Sequence, residues 1–160
     1  ESLSNVRLLG LNGLTSITDE QAESLSKIRM LYLIRLTSIT DKQAESLNKI
    51  AGLELGITSI NDKQAESLSK VTSLALFGLD SLTDKQAESL CKVSVLELGI
   101  TTINDKQAES LSKVTRLYLA NRLDSLSNNQ AKSLSKVQDL RVNTANQDLI
   151  DKHKNLPGDN

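Results

Sequence analysis

The chain is poor in aromatic residues and in cysteine. Among 160 residues there are two Tyr, one Phe and no Trp, and Cys91 is the only cysteine. A single cysteine excludes an internal disulfide. A globular core in a chain of this length would ordinarily use more rings. The core must therefore be aliphatic, which is typical of repeat proteins.

The chain also lacks long apolar runs and an excess of charge of either sign. No apolar stretch approaches the ~18 residues of a membrane span, so we expect no membrane insertion. The net charge of −1 comes from 19 basic and 20 acidic residues and argues against broad capture of nucleic acid. No signal peptide or transmembrane segment is recognisable, so the sequence assigns no compartment.

What the chain does contain is an internal repeat. The segment Asp-Lys-Gln-Ala-Glu-Ser-Leu recurs, four times intact and twice as a close copy, from the starting residues Asp19, Asp41, Asp62, Asp84, Asp105 and Asn128. Successive copies are 22, 21, 22, 21 and 23 residues apart. A period in this range is the signature of a solenoid of stacked units.

Each unit begins with a pattern that predicts a short strand. In residues 28–49, Leu31 and Leu33 flank Tyr32, which is the alternation of a strand with one buried face. Successive strands must be parallel, because each one returns after a helical crossover. Helices are wider than the ~4.8 Å spacing of strands, so we expect the sheet on the concave side of the stack.

The second half of each unit predicts a short helix. Thr40 is a good N-cap, and Gln43, three residues later, completes a capping box. Ala44 and Leu47 lie three residues apart and so share one inward face. Such a helix is too short to be stable alone, and packing between units must hold it.

Together these features resemble the leucine-rich repeat, in which Leu-x-x-Leu-x-Leu precedes an apolar loop and a short helix. The matching stretches are Val6–Leu11, Ile28–Leu33, Ile50–Leu55, Val71–Leu76, Val93–Leu98, Val114–Leu119 and Val137–Val142. The motif Leu-Thr-Ser-Ile-Thr-Asp-x-Gln-Ala-Glu-Ser-Leu is similar to the repeats in some bacterial proteins of this family.

The resemblance implies an α/β horseshoe with a parallel sheet on the concave side and short helices on the convex side. We expect this array over residues 1–142, with about seven strands and a truncated first repeat. Residues 143–160 are expected to form a degenerate C-terminal capping repeat and tail. Because the chain begins in the middle of a repeat, it is expected to be part of something longer.

One feature departs from the family. The Asn or Cys that usually follows the strand and bonds to backbone between units is replaced here by Leu or Ile. We hypothesise that loop hydroxyls pair those backbone groups instead. The hydroxyls concerned belong to Ser16, Ser38, Ser59, Ser81, Thr102 and Ser125.

The copies differ mainly at their strands. The helices are close to duplicates even on the outer face, where pairs such as Glu45 and Lys49 are predicted to form ion pairs. Solvent-exposed identity has no evident packing reason and suggests recent duplication. Arginines occur only in the strands and the loops after them, whereas lysines occur only in the helices and the tail. Tyr and Arg are enriched at binding hot spots.

The divergent positions are therefore the candidate site, against the alternative that they drift without constraint. The residues expected to bind a partner are Tyr32, Glu54, Phe77, Glu97, Tyr118, Arg35, Arg116 and Arg141. The predicted function is a non-enzymatic module that binds a protein or peptide on the concave face.

Two other functions stay open. The chain could be a structural segment that stacks end to end through an uncapped N-terminal edge, or it could bind a polyanion through its arginines, although its charge balance disfavours nucleic acid. An enzyme is not expected, because no Cys–His pair and no His near a Ser is available for catalysis. No zinc-type cluster and no Gly-rich phosphate loop is present, so no metal and no cofactor is predicted.

Overall fold

The structure, a computed structural model, describes residues 7–155 and contains one sheet of seven parallel strands. The strands are β1 (Leu8–Gly10), β2 (Met30–Leu33), β3 (Gly52–Leu55), β4 (Ser73–Leu76), β5 (Val95–Leu98), β6 (Arg116–Leu119) and β7 (Asp139–Arg141). The helices are α1 (Asp19–Leu25), α2 (Asp41–Leu47), α3 (Asp62–Leu68), α4 (Asp84–Leu90), α5 (Asp105–Leu111), α6 (Asn128–Leu134) and α7 (Thr144–Lys154).

The strands lie in the sheet in the order of the sequence, and each pairs with the next in parallel. This arrangement confirms the predicted solenoid. We term each strand with the loop and helix that follow it a coil, and number the coils by their strands. The predicted truncated first repeat starts in residues 1–6, which lie outside the described residues, as do residues 156–160.

The core lies between the sheet and the helices. In coil 2, Leu31 and Leu33 of the strand and Ala44 and Leu47 of the helix are all fully buried. Each leucine buried in this way contributes about 1.5–3 kcal/mol relative to an exposed one. The inward faces predicted from the strand alternation and the helix spacing are therefore confirmed.

The predicted capping boxes are present in α1 to α6. In α2, Thr40 Oγ1 accepts the backbone N–H of Gln43 at 3.1 Å, and Gln43 Oε1 accepts the backbone N–H of Thr40 at 2.9 Å. These helices have seven residues each, fewer than an isolated helix needs in water. Contacts between coils must therefore stabilise them.

A ladder of glutamine side chains supplies one such contact. Gln43 Nε2 donates to the Ile17 carbonyl of the preceding coil at 2.8 Å, and Gln86 Nε2 donates likewise to Ile60. The same bond is repeated by the side chains of Gln64, Gln107 and Gln130. We term this set the glutamine ladder. It pairs loop carbonyls between adjacent coils, the role that was hypothesised for the loop hydroxyls.

The hypothesis of loop hydroxyls is wrong. The residues concerned, Ser16, Ser38, Ser59, Ser81, Thr102 and Ser125, are all exposed. Within residues 7–155, none of their side chains has a hydrogen-bond partner. Water satisfies an exposed hydroxyl at little cost, whereas the loop carbonyls that need partners lie inside, within reach of the glutamines.

A second ladder joins the first turns of consecutive helices. Asp41 accepts Asn61 Nδ2 at 2.8 Å and lies 3.5 Å from Lys63 Nζ in the next coil. The other carboxylates of this aspartate ladder are Asp19, Asp62, Asp84 and Asp105. These contacts between coils explain why the Asp, the Lys and the cap residue recur from repeat to repeat. The sequence pattern alone does not reveal them.

The predicted ion pairs along the outer face of each helix are absent. In the described part of the chain, Glu45 and Lys49 do not come within ion-pair distance, and neither do their equivalents. The helix ends at Leu47, so Lys49 lies beyond the last turn and not one turn above Glu45. This prediction was wrong because it extended the helical spacing past the true end of the helix.

Three glycines lie where the turn after a strand passes close to the backbone of the preceding coil. A Cβ would lie 1.9 Å from the Ile34 carbonyl oxygen at Gly56, 2.2 Å from the Gly56 carbonyl oxygen at Gly78, and 2.1 Å from the Phe77 carbonyl oxygen at Gly99. Only glycine fits at these turns, because a Cβ cannot approach an oxygen so closely. The approach occurs in coils of 21 and of 22 residues, so it does not depend on coil length.

The last coil is bonded to coil 6 by asparagines. Asn146 accepts the backbone N–H of Leu126 at 2.9 Å and donates to the Asp124 carbonyl at 3.0 Å. Asn143 caps α7 and donates to the Leu123 carbonyl at 2.7 Å. The expected division between an array over 1–142 and a capping segment over 143–160 stays a prediction.

Candidate functional site

One face of the sheet is not covered by the helices. Leu31 and Leu33 point into the core, and the alternate residues of β2, Met30 and Tyr32, are only partly buried. We term the surface formed by these alternate positions the open face. The strand register places one row of its residues side by side: Gly10, Tyr32, Glu54, Ala75, Glu97, Tyr118 and Arg141.

The four central residues of the predicted site are thus neighbours. Between Tyr32 and Tyr118 the row reads Tyr, Glu, Ala, Glu, Tyr, which is symmetric about Ala75. Four strand steps separate the two tyrosines, a span of about 19 Å. The positions that diverge between repeats therefore lie on one continuous surface.

A small depression lies at the centre of the open face. It has a volume of about 130 Å³, and Tyr32, Glu54, Glu97 and Tyr118 line it together with Ala75. Gly52 and Ser73, from the row next to these residues, also line it. Short side chains in the middle and long ones on either side produce the hollow.

The negative charge of Glu97 acts on Glu54. The pKa of Glu54 is raised above its usual value, first by burial and second by the negative charge of Glu97. Neither carboxylate has an ion-pair or hydrogen-bond partner among residues 7–155. The depression is therefore an acidic hollow without an internal counter-charge.

The β6–β7 end of the open face is different, because its side chains bind one another. Tyr118 Oη donates to Asp139 Oδ2 at 3.1 Å, and Arg116 Nε lies 3.9 Å from the same oxygen. The Arg141 guanidinium lies over the Tyr118 ring, 4.7 Å from its centroid. Three of the predicted site residues are therefore held by contacts within the chain.

Arg116 lies in the neighbouring row of the open face, beside Val95 and Asp139, and the other two predicted residues lie outside the strands. Arg35 and Phe77 are exposed in the turns that follow β2 and β4. Arg35 has no carboxylate partner within the described ranges. Its counterpart in coil 6, Arg122, bonds to Asp80 at 3.0 Å and so spans coil 5. These turns form a margin at the ends of the strands, beside the open face.

Two acidic residues outside the predicted site order this region. Asp139 joins Tyr118 to Arg116, and Asp80 holds Arg122. A signal was available for Asp139, because it stands two residues before Arg141 and hence on the same face of the same strand. The bond from Asp80 to Arg122 crosses a whole coil, and nothing in the spacing indicates it.

Neither a metal centre nor a membrane span is evident in the described residues. Residues 7–155 contain no group of three or more His, Cys, Asp or Glu side chains placed to hold a metal ion. None of the helices described is long and apolar enough to cross a bilayer. The described side chains of the open face offer hydrogen bonds, charge and aromatic contact.

Comparison with solved structures supports the fold. No protein family and no curated protein matches the chain. A chain in the structure of the Drosophila Toll–Spatzle complex, described as a molecular hub in development and innate immunity, matches with a TM-score of 0.59 and 16% identity. The match covers 87% of this chain and 21% of that chain, so the present chain spans about a fifth of its neighbour's length.

Toll is a leucine-rich repeat protein, and the seven parallel strands alternating with helices define the same class of solenoid here. At this level of identity the likeness concerns the fold alone.

Proposed function

We propose that the chain is a non-enzymatic module that binds a protein or peptide on the open face of its sheet. The observation that supports this most is the single row from Tyr32 to Tyr118, where residues that differ between coils lie together. Tyrosine provides a large contact area at low entropic cost and is enriched at binding hot spots. The Toll–Spatzle complex is a protein complex formed with the same fold class, which agrees with this proposal.

We also propose that the open face is concave. Adjacent strands lie about 4.8 Å apart, whereas packed helices need about 8–10 Å between axes. A stack with strands on one side and helices on the other relieves that difference by bending towards the strands. A concave row of about 19 Å suits an extended segment of a partner lying across the strands.

The test begins with peptides selected from a displayed random library on the wild-type protein. The variant Tyr32→Ala should bind these peptides about 30-fold more weakly, corresponding to the loss of a hot spot worth about 2 kcal/mol. Tyr32 is the better tyrosine to change, because Tyr118 also bonds to Asp139 and contacts Arg141. Binding would be measured by calorimetry and folding by circular dichroism.

The matched control is Glu45→Ala, at an exposed position of α2 without an ion-pair partner among the described residues. It should leave peptide binding unchanged. If Tyr32→Ala keeps full affinity, or if both variants lose it equally, the open face is not the binding surface.

A second candidate function is end-to-end self-association through coil 1. Leu8 and Leu14 are 53% and 39% exposed, and a hollow of about 340 Å³ lined by Leu11, Ile17 and Leu25 lies beside Leu14. Gln21 is exposed, although its equivalents in α2 to α5 are buried and bond to a preceding coil. Sedimentation should show a mass that increases with concentration, and a monomer at all concentrations would count against this function.

The alternative of a polyanion site gains little support. Arg116 and Arg122 lie beside carboxylates of the same chain, and Arg141 covers a tyrosine ring. Glu54 and Glu97 occupy the centre of the open face, where they would repel phosphate.

A further inference from the structure

The central depression has the size of a single side chain. Its volume is about 130 Å³, whereas pockets for small-molecule ligands usually measure ~300–1,000 Å³. The Met30 side chain packs against Gly52 on one side of it, and the small side chains of Ser73 and Ala75 leave the rest of its middle open. A protruding side chain of a bound protein could enter this space, whereas a cofactor could not.

The negative charge of the depression favours a positively charged side chain from the partner. Glu54 and Glu97 flank Ala75 in the register of the sheet, with about 10 Å between their backbones. In the described part of the molecule no cation pairs with either carboxylate. Arg116, on the strand beside that of Glu97, already lies next to Asp139. A positive group from a partner would therefore meet two uncompensated negative charges.

The tyrosines on either side of the depression favour a guanidinium over an ammonium group. At the β6–β7 end, the chain itself places the Arg141 guanidinium on the Tyr118 ring. At the other end of the row, Tyr32 has no such cation among residues 7–155. A guanidinium can donate hydrogen bonds to two carboxylates while its plane contacts an aromatic ring, which an ammonium does less well.

We propose, building on the binding function of the open face, that the depression receives an arginine side chain of the partner. The guanidinium lies above Ala75 and donates to Glu54 on one side and to Glu97 on the other. The Tyr32 ring flanks it. The partner is thus a protein or peptide that presents an exposed arginine, and this arginine is the central contact of the interface.

The direct test uses a small probe and the whole chain. N-acetyl-arginine amide would be titrated while backbone and methyl resonances are followed by NMR. Saturable shifts are expected at Gly52, Ser73 and Ala75. The neutral isostere N-acetyl-citrulline amide should bind at least about tenfold more weakly, because it has no charge to pair with the glutamates.

Variants of the chain complete the test. The double variant Glu54→Gln with Glu97→Gln keeps the shape of the depression and removes its charge, so arginine amide should bind at least about tenfold more weakly. The matched control, Glu45→Gln with Glu88→Gln, removes the same charge from exposed positions of α2 and α4 and should bind like wild type.

Three results would overturn the inference. In the first, citrulline amide binds as tightly as arginine amide. In the second, the Glu54→Gln, Glu97→Gln variant binds arginine amide as tightly as wild type does. In the third, Nα-acetyl-lysine amide binds as tightly as arginine amide. The proposed function is tested separately. Selected peptides that lose affinity in Tyr32→Ala but keep it in the glutamate variant would overturn the arginine inference and leave the binding function standing. If arginine amide binds but no peptide does, the proposed binding function is overturned and the depression remains a site for arginine.

Discussion

At the scale of the residue, the outward row could be predicted from alternation alone. Leu31 and Leu33 are buried, so Tyr32 between them must face outward, and the buried leucines of β3 to β6 repeat this alternation. What could not be predicted is which outward side chains contact one another. The contact between Arg141 and Tyr118, for example, depends on the register between two strands and on the rotamers of both residues.

The titration of Glu54 is a prediction at this scale. Its folded pKa is raised above 4.5 by burial and by Glu97, so the folded state binds the proton more tightly than the unfolded state does. The unfolding free energy should therefore gain a contribution as the pH falls from above the folded pKa towards 4.5. That contribution should vanish in Glu54→Gln.

Carboxyl-detected NMR would measure the pKa directly. In Glu97→Gln the pKa of Glu54 should fall, because the repelling charge is gone. It should nevertheless stay above 4.5, because burial is the larger cause. An unchanged pKa in Glu97→Gln would mean that the two carboxylates do not share the depression.

At the scale of the element, the sequence predicted the caps but only half of the role of the glutamines. Thr40 and Gln43 have the spacing of a capping box, which can be read without coordinates. The second bond of Gln43, to Ile17 in another coil, requires knowledge of how the coils stack. The absence of the family's Asn was the available signal that another side chain must perform this pairing.

The glutamine ladder can be tested by comparing two positions. Gln21→Ala removes only the acceptor for the cap, because Gln21 has no cross-coil partner within the described residues. Gln86→Ala removes the same acceptor and also the bond to the buried Ile60 carbonyl. We expect Gln86→Ala to lower the unfolding free energy by about 1–3 kcal/mol more than Gln21→Ala does.

Urea denaturation would measure both variants. Gln86→Glu adds an isosteric control, since it retains the acceptor for the Thr83 N–H and removes the donor to Ile60. It should be destabilised at neutral pH in the same way as Gln86→Ala. Equal losses for Gln21→Ala and Gln86→Ala, with Gln86→Glu as stable as wild type, would show that the cross-coil bond contributes nothing.

At the scale of the whole molecule, the residues that repeat from coil to coil and the residues that differ between coils are explained by separate causes. The glutamine and aspartate ladders give the repeated Gln, Asp and Lys residues a role in stacking, so their identity is not only a trace of duplication. Among the residues that the structure describes, Glu45 and its equivalents in α1, α3, α4 and α5 have no ion-pair partner, yet they remain Glu. Free drift would have changed these positions too, which favours selection on the open face.

The solenoid itself was predictable because its period, strand pattern and caps all indicate one architecture. The pairing of Arg122 with Asp80 was not, because the two residues belong to coils that are not adjacent. The predictability of the proposed binding surface lies between these two cases. Its residues were named from divergence between repeats, but the hollow around Ala75 emerges only when the strands are in register.

The most direct measurement of the binding claim is photo-crosslinking of a selected peptide from two positions of the chain. A photoreactive analogue of methionine would replace Met30, which lines the depression, or, in a second protein, a photoreactive amino acid would replace Glu45 on the helix layer. We predict a cross-link from position 30, competed by free peptide, and none from position 45. Cross-linking from position 45 with none from position 30 would contradict the assignment of the open face.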